Sequence, residues 1–481
     1  MVSVPEAIAY LDRFVNYEQA TPASYDGAFS LDTIRRVLAA LGSPERQWPA
    51  IHVAGTKGKG STCALMASIL QAAGYRVGLY TSPHLVDLRE RIQVDGQWVT
   101  EAELADAVEA LRLAVESLET PPTWFEACTA MAFWLFARRQ VEVAVIEVGL
   151  GGRLDATNVV ESLVAVIAPI SYDHTDALGT TLAAIATEKA GIVKPGRPVV
   201  VAPQAPEVLA VIRRTAQARR APCLEVAARI QSRLDAASVS GQRVTLQTPR
   251  GVYPTISLPL LGAHQVTNLA TAVTALEALP APWTVTPAAV ADGVACVRWP
   301  GRLQVVARRP WLVVDGAQNA ASAAALRDAI RALWPGRRLH LIAGLSANKD
   351  VEGFAEALAP LGASVMATQA QVPRALPASR LAARLRPWFP MVETVDTVAE
   401  AVARARRRAS PDDCLVVTGS FFVIGELLRV LGDGPGPDLA RVAPALGGLP
   451  GARPPDQGPP LGLVCPSTAR AAPARRLFAA R

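Results

Sequence analysis

The chain has 481 residues, 51% of them hydrophobic and 19% charged, with a net charge of +6. Those proportions exclude a disordered or fibrous protein, and at about 100–200 residues per domain the length predicts two or three domains. No apolar run reaches the ~18 residues of a membrane helix, the densest being residues 127–137, and residues 1–14 show no secretory pattern. A cytoplasmic protein without a membrane partner is expected. The modest charge and the lack of a basic cluster interleaved with aromatics give no footprint for nucleic acid.

The six cysteines are widely spaced with no CxxC pair, which reads as small buried hydrophobes and not as a zinc site or a disulfide framework. Lysine is scarce. Only Lys57, Lys59, Lys189, Lys194 and Lys349 occur among 48 basic residues. A chain that uses arginine almost everywhere can keep lysine where a compact phosphate ligand or a modifiable amine is needed.

In chain order, helical periodicity covers residues 4–14 and 31–41, followed by a strand at 51–53, a glycine-rich turn and a helix at 61–73. A strand at 77–80, helices at 101–118 and 124–138, and a strand at 143–147 come next. Strands at 164–168 and 198–201 flank a helix at 182–190, a hairpin spans 244–258, and a helix covers 265–279. This alternation predicts a mostly parallel sheet covered on both faces. A second series of strands begins after residue 299, at 303–306, 312–314, 339–343, 363–367 and 414–418. The resulting division is 1–298, 299–433 and a Gly/Pro/Ala/Arg-rich tail, 434–481, expected to be disordered.

The sharpest local signal is Gly55-Thr56-Lys57-Gly58-Lys59-Gly60-Ser61, set between a strand and a helix. Backbone N–H groups of such a turn, with the positive helix end behind them, cradle phosphate, and Lys59 can reach the outer phosphates of a nucleotide. The general Walker spacing fails, because Val53 stands five before Gly58; the loop is a shorter variant. Glu147 ends an apolar strand, where a carboxylate is costly unless it faces a cleft and a cation. The glycines after it are not a dinucleotide fingerprint, since Leu154 holds the third glycine position. Polar patches at 81–84, 173–174 and 315–319 also follow strands, and so fall at one crevice level.

Taken together, GTxGKGS, TSPHL, GLGGRLDATN, EKAGI at 188–192, HQxxN and PGR followed by DGAxN resemble the folylpolyglutamate synthase/dihydrofolate synthase family, a branch of the Mur ligases. The resemblance covers residues 4–433. It implies an α/β fold: a P-loop ATPase domain with a mostly parallel sheet, plus a smaller Rossmann-like C-terminal domain. It also implies ATP and Mg²⁺ as cofactors, with Gly55 to Ser61 on the triphosphate, and Asn268, Arg302 and Asp315 contacting the nucleotide. Ser82 and Glu147 would hold one Mg²⁺, Glu147 and His174 a second, and Lys189 would be carbamylated. Residues 28–31 and 124–126 would lie on the pterin side. Lys57 and Gln318 depart from the common pattern, which has Asn and His there.

The implied reaction joins L-glutamate to dihydropteroate, or to the γ-carboxyl of a reduced folate, through an acyl phosphate, in a monomeric enzyme. The closest alternative is a Mur ligase of cell-wall precursor synthesis. Such an enzyme usually carries a further N-terminal domain of its own, for which a phosphate loop at Gly55 leaves no room. A nucleic-acid-dependent P-loop ATPase is the alternative from another class, and the missing basic groove counts against it.

Overall fold

The computed structural model describes residues 4–18, 29–116 and 118–431. The 434–481 tail therefore lies outside the described residues, as does residue 28 of the expected pterin-side segment. Eight strands form the first sheet: β1 (Ala50–Ala54), β2 (Val77–Tyr80), β3 (Ile92–Val94), β4 (Gln97–Trp98), β5 (Val143–Glu147), β6 (Ser162–Ile167), β7 (Val199–Val201) and β8 (Cys223–Glu225). Their order is β4-β3-β2-β5-β1-β6-β7-β8, parallel except for the β2-β3-β4 edge.

Alternate residues of the central strands serve opposite faces, which is why these strands read as continuous apolar runs. Ile51, Val53, Val143 and Val145 join the core formed with helices Lys59–Ala72, Ala263–Glu277 and Pro287–Cys296. Ala50, Ala144 and Ile146 face helices Asp32–Ala40, Glu101–Val115 and Trp124–Arg138 on the other side. The expected hairpin is part of a three-stranded antiparallel sheet, β9 (Gln231–Ser238), β10 (Gly241–Thr248) and β11 (Gly251–Leu258). Its inward residues, Val244, Leu246 and Ile256, extend the first of those cores.

A second sheet has the order β12-β13-β17-β14-β15-β16, built from β12 (Gln304–Arg308), β13 (Trp311–Asp315), β14 (Leu339–Ala343), β15 (Ser364–Ala367), β16 (Val392–Thr394) and β17 (Cys414–Thr418). Only β12 runs antiparallel to its neighbour. Cys63, Cys128 and Cys414 are free and buried, as the spacing suggests, and Cys223 is free and half-buried.

Asp413 ties the N-terminal ends of three strands of this sheet together. Its carbonyl accepts from Trp311 N–H at 3.0 Å, and its carboxylate accepts from Arg338 at 2.6 Å, His340 Nε2 at 3.1 Å and Ser410 N–H at 3.0 Å. Burial opposes the charge, but the bonds from Arg338 and His340 prevail and hold its pKa down at about 2. A carboxylate depressed on folding stabilises the protein above its unfolded pKa of ~3.9, and that contribution disappears as pH falls through the folded value. Asp413→Asn should therefore cost about 1–2 kcal/mol in a denaturant titration at pH 7, and the difference should shrink as pH drops from 4 toward 2. An equal cost at both ends of that range would show that charge is not what Asp413 contributes.

Candidate active site

The C-terminal ends of β1, β2, β5 and β6 open onto a cavity of about 480 Å³, the position where open α/β sheets place ligands. After β1 the chain turns through glycines into helix Lys59–Ala72. Gly58 caps that helix with φ 77°, and a Cβ there would collide with the Asn268 side chain. Below the loop, Gln265 Nε2 donates to Ser61 Oγ at 3.4 Å and Gln265 Oε1 accepts from Asn268 Nδ2 at 2.9 Å. Ser61 and Asn268 are thus buried supports of the loop, while Gly55, Thr56, Gly58, Lys59 and Gly60 line the cavity. Thr56 and Lys57 donate their N–H groups to the Pro169 carbonyl at 2.9 and 3.0 Å. The donors aimed at an anion are consequently those of the first helical turn, from Lys59 to Ser61, which have no acceptor within the helix.

Glu147, at the end of β5, is 4% exposed. Burial pushes its carboxyl up, opposed by Lys59, whose Nζ lies 3.7 Å from Oε1. The Ser82 N–H donates to Oε2 at 3.2 Å. His84, from the same patch as Ser82, is spent elsewhere: its Nδ1 accepts from the buried Arg91 at 2.8 Å. Arg302 stacks on Phe421, 4.2 Å from the ring centroid, and bears electrostatically on both Asp315 and Glu147. Asp315 accepts from the N–H groups of Leu303 at 2.8 Å and Ala317 at 2.9 Å.

Lys189 closes helix Leu182–Ala190 with its amine in the same cavity, donating to the Gly55 carbonyl at 2.9 Å. Burial, and then the like charge of Lys59, push its pKa down to about 7. The helix is held there by the glycine-rich loop after β5. Arg153 N–H donates to the Glu188 carbonyl at 2.8 Å, Asn158 Nδ2 to the Arg153 carbonyl at 3.0 Å, and Lys194 Nζ to the Asn158 carbonyl at 2.9 Å. The two motifs GLGGRLDATN and EKAGI are therefore one interface. A Cβ on Gly152 would lie 2.7 Å from the Glu188 carbonyl oxygen and 3.0 Å from Lys189 Cα.

His174 and Asp173 follow β6, with His174 in a left-handed conformation, φ 52°. Asp173 gathers three side-chain donors, Lys349 Nζ at 2.7 Å, Asn319 Nδ2 at 3.2 Å and Lys57 Nζ at 3.5 Å, and the His174 N–H at 3.1 Å. Burial would raise its pKa, but Lys57 and Lys349 outweigh it and hold the carboxylate well below its usual range. Gln318 lines the cavity, and its N–H donates to Ser322 Oγ at 3.1 Å. Lys349 and Arg374, both from the second α/β unit, line the cavity without having been assigned from sequence. The scarcity of lysine was the one signal that could have found Lys349; nothing marked Arg374 among so many arginines.

The glycine-rich anion loop, buried acid and flanking lysines define an ATP-dependent ligase of the Mur type, and comparison with known proteins agrees. The description "Mur ligase middle domain" matches residues 53–276, and "Mur ligase, glutamate ligase domain" matches 301–421. Folylpolyglutamate synthase of Lacticaseibacillus casei is 35% identical over 410 residues, 83% of this chain and 93% of the relative. Dihydrofolate synthase/folylpolyglutamate synthase of Escherichia coli (strain K12) is 34% identical over 430 residues, 89% of this chain and 97% of the relative. Among solved structures, Mycobacterium tuberculosis folylpolyglutamate synthase complexed with ADP and AMPPCP is 34% identical with a TM-score of 0.80, covering 89% of this chain and 100% of that one. E. coli FolC in complex with DHPP and ADP gives 32% identity and a TM-score of 0.79, covering 89% and 97%. The chain belongs to the folylpolyglutamate synthase/dihydrofolate synthase family.

Gly152→Ala should force the β5 loop away from the Lys189 helix and cost about 1–3 kcal/mol. Hydrogen exchange should locate the loosening at residues 182–190, and unchanged protection there would show that the contact yields without moving the helix.

Proposed function

We propose that the chain is an ATP-dependent amide ligase that joins L-glutamate to dihydropteroate, to the γ-carboxyl of a reduced folate, or to both. One observation carries the reading: the buried Glu147 carboxylate sits beside Lys59 at the mouth of a helix-capping anion loop, in a cavity walled by both α/β units. Tyr17, Phe29 and Phe125 provide aromatic surface in the same cavity, suited to a flat pterin. The relatives' names point to the same reaction and give no support to a cell-wall precursor substrate.

ATP and Mg²⁺ are the cofactors. Among the described residues no three His, Cys, Asp or Glu side chains form a metal-holding group. The donors present, the buried Glu147 carboxylate with Ser82 against it, fit Mg²⁺, which is commonly held by one or two carboxylates together with substrate phosphates. Ser82 and Glu147 would hold one ion, and Glu147 with His174 a second. When bound, they neutralise charge on the transferring phosphoryl group.

The acceptor carboxylate attacks the γ-phosphorus and ADP leaves, giving an acyl phosphate. The glutamate amine then attacks the acyl carbon, loses a proton, and inorganic phosphate departs as the amide forms. Lys59 and the first-turn N–H groups of its helix stabilise the phosphoryl charge. Lys349, Arg302 and Phe421 form the wall that the second α/β unit contributes, and exclusion of water behind it would protect the acyl phosphate from hydrolysis. Of the expected nucleotide set, Gly55, Thr56, Gly58, Lys59, Gly60 and Arg302 would meet the nucleotide from the cavity wall, Lys57, Ser61 and Asn268 would hold the loop in shape, and Asp315 would take the ribose.

With a pKa near 7, the Lys189 amine is partly neutral at physiological pH, the form that adds to carbon dioxide. The resulting carbamate would supply an anionic oxygen in the same cavity, next to the phosphate loop whose Gly55 carbonyl the amine contacts. The same reading divides the chain into an ATP-binding unit, 1–298, and a ligase unit, 299–433, acting as a cytoplasmic monomer. The family matches at 53–276 and 301–421 support that division, and among the described residues no helix is long and apolar enough to cross a membrane.

Purified protein with Mg-ATP and labelled glutamate, offered dihydropteroate and tetrahydrofolate separately, should form amide with one ADP per bond; no amide with either acceptor would overturn the ligase assignment. Lys59→Ala should lose on the order of 10²-fold or more in turnover while keeping its melting temperature. Near-normal turnover at saturating ATP would remove Lys59 from phosphate transfer. In ¹³C-bicarbonate, the wild type should show a carbamate carbon resonance that Lys189→Arg lacks, with activity lost in the variant. A fully active Lys189→Arg, or no resonance in the wild type, would eliminate the carbamate.

A further inference from the structure

Arg374 is a cation of the cavity wall for which the described residues supply no matching anion. It is half-buried and lines the cavity with Asn348 and Ser346. One guanidinium nitrogen donates to the backbone carbonyl of Glu18, and another reaches Asn348 Oδ1 at 3.4 Å. Both are neutral acceptors. The two carboxylates that bear on it electrostatically, Glu18 and Asp173, are engaged by other cations. Glu18 accepts a two-pronged pair from Arg91 at 2.7 and 2.8 Å, and Asp173 pairs with Lys349 at 2.7 Å. Among the described residues Arg374 has no carboxylate within ion-pair distance. It lies over the Phe422 ring, 5.9 Å from the centroid, and burial pushes its pKa down against the opposing pull of Glu18 and Asp173.

Its position is fixed. The Arg374 carbonyl accepts from Ala347 N–H at 2.9 Å, Ala375 bridges Ser346, and Leu376 N–H donates to the Leu345 carbonyl at 2.8 Å. Arg374 and Lys349 therefore ride on one pair of cross-linked loops. Lys349 stands against Asp173, next to the phosphate-transfer groups, and Arg374 stands against the N-terminal segment that contributes Tyr17 and Glu18 to the cavity. A guanidinium matches a carboxylate through two parallel hydrogen bonds, which an ammonium cannot reproduce.

We propose that Arg374 is a specificity-determining residue of the ligase cavity that takes a carboxylate of a glutamyl group. The inference rests on the ligase reading above. Two sources present that chemistry: the incoming glutamate, and a glutamate already attached to the acceptor. Dihydropteroate separates them, because its single carboxylate is the one consumed in the reaction.

The test is steady-state kinetics of the full-length wild type, Arg374→Ala and Arg374→Lys, with dihydropteroate and with tetrahydrofolate monoglutamate. Loss of a charge-assisted hydrogen-bonded contact should raise the affected KM about 10- to 100-fold in Arg374→Ala, with kcat and the KM for ATP changed little. Arg374→Lys should recover part of that loss. A rise in the glutamate KM with either acceptor assigns the incoming amino acid. A rise confined to the KM for the monoglutamate acceptor assigns the existing tail. Glutamate and acceptor KM values all within twofold of wild type, or a fall in kcat with those values unmoved, would overturn the proposal and leave Arg374 as a tether for Glu18. A wild type that forms no glutamyl amide instead overturns the ligase reading, and this inference with it.

Discussion

The parallel pairing of β2, β5, β1 and β6 brings four loops out at one edge, and everything chemical in the molecule depends on that alignment. Val53 pairs with Glu147, Tyr80 with Ile146 and Ala54 with Ile167, so the strands end nearly level. The phosphate loop, the acid, the Ser82 turn and the Asp173–His174 turn then meet although they are scattered over more than a hundred residues of sequence. A one-residue slip of β5 would turn Glu147 toward the opposite face and leave a buried carboxylate among apolar side chains.

The same alignment concentrates charge in a poorly solvated place, and its effects differ with the neighbours. Asp173, ringed by Lys57, Lys349 and Asn319, stays ionised. Glu147 has one lysine at 3.7 Å against full burial, and its pKa rises. Lys189 has the Gly55 carbonyl and a like-charged neighbour, and its pKa falls. Three buried ionisable groups thus arrive at three different proton affinities, set by which residues share their loops, and a reaction that moves phosphoryl charge requires such differences.

Much of this was legible in the sequence because it is local. The 55–61 loop lies between a strand and a helix of clear periodicity, and Glu147 stands out as a charge ending an apolar run. What escaped was of two kinds. β9 is almost wholly exposed and carries no alternation, and β16 is only three residues long, so neither leaves a periodic trace. Lys349 and Arg374 escaped for a different reason. Their proximity to Asp173 and Glu18 spans 176 and 356 residues of chain, and no spacing rule reaches that far.

The five lysines, all buried or half-buried, leave a surface whose positive charge is carried by guanidinium groups. Amine-directed reagents therefore meet an unusual target. Apart from the chain's own N-terminal amine, every primary amine they can find is in or beside the cavity, or, for Lys194, locked under the loop that supports it. Dyes, cross-linkers or supports coupled through lysine would poison the site they were meant to report on. The same property makes amine labelling a direct gauge of how often the cavity opens, with almost no background from the rest of the surface.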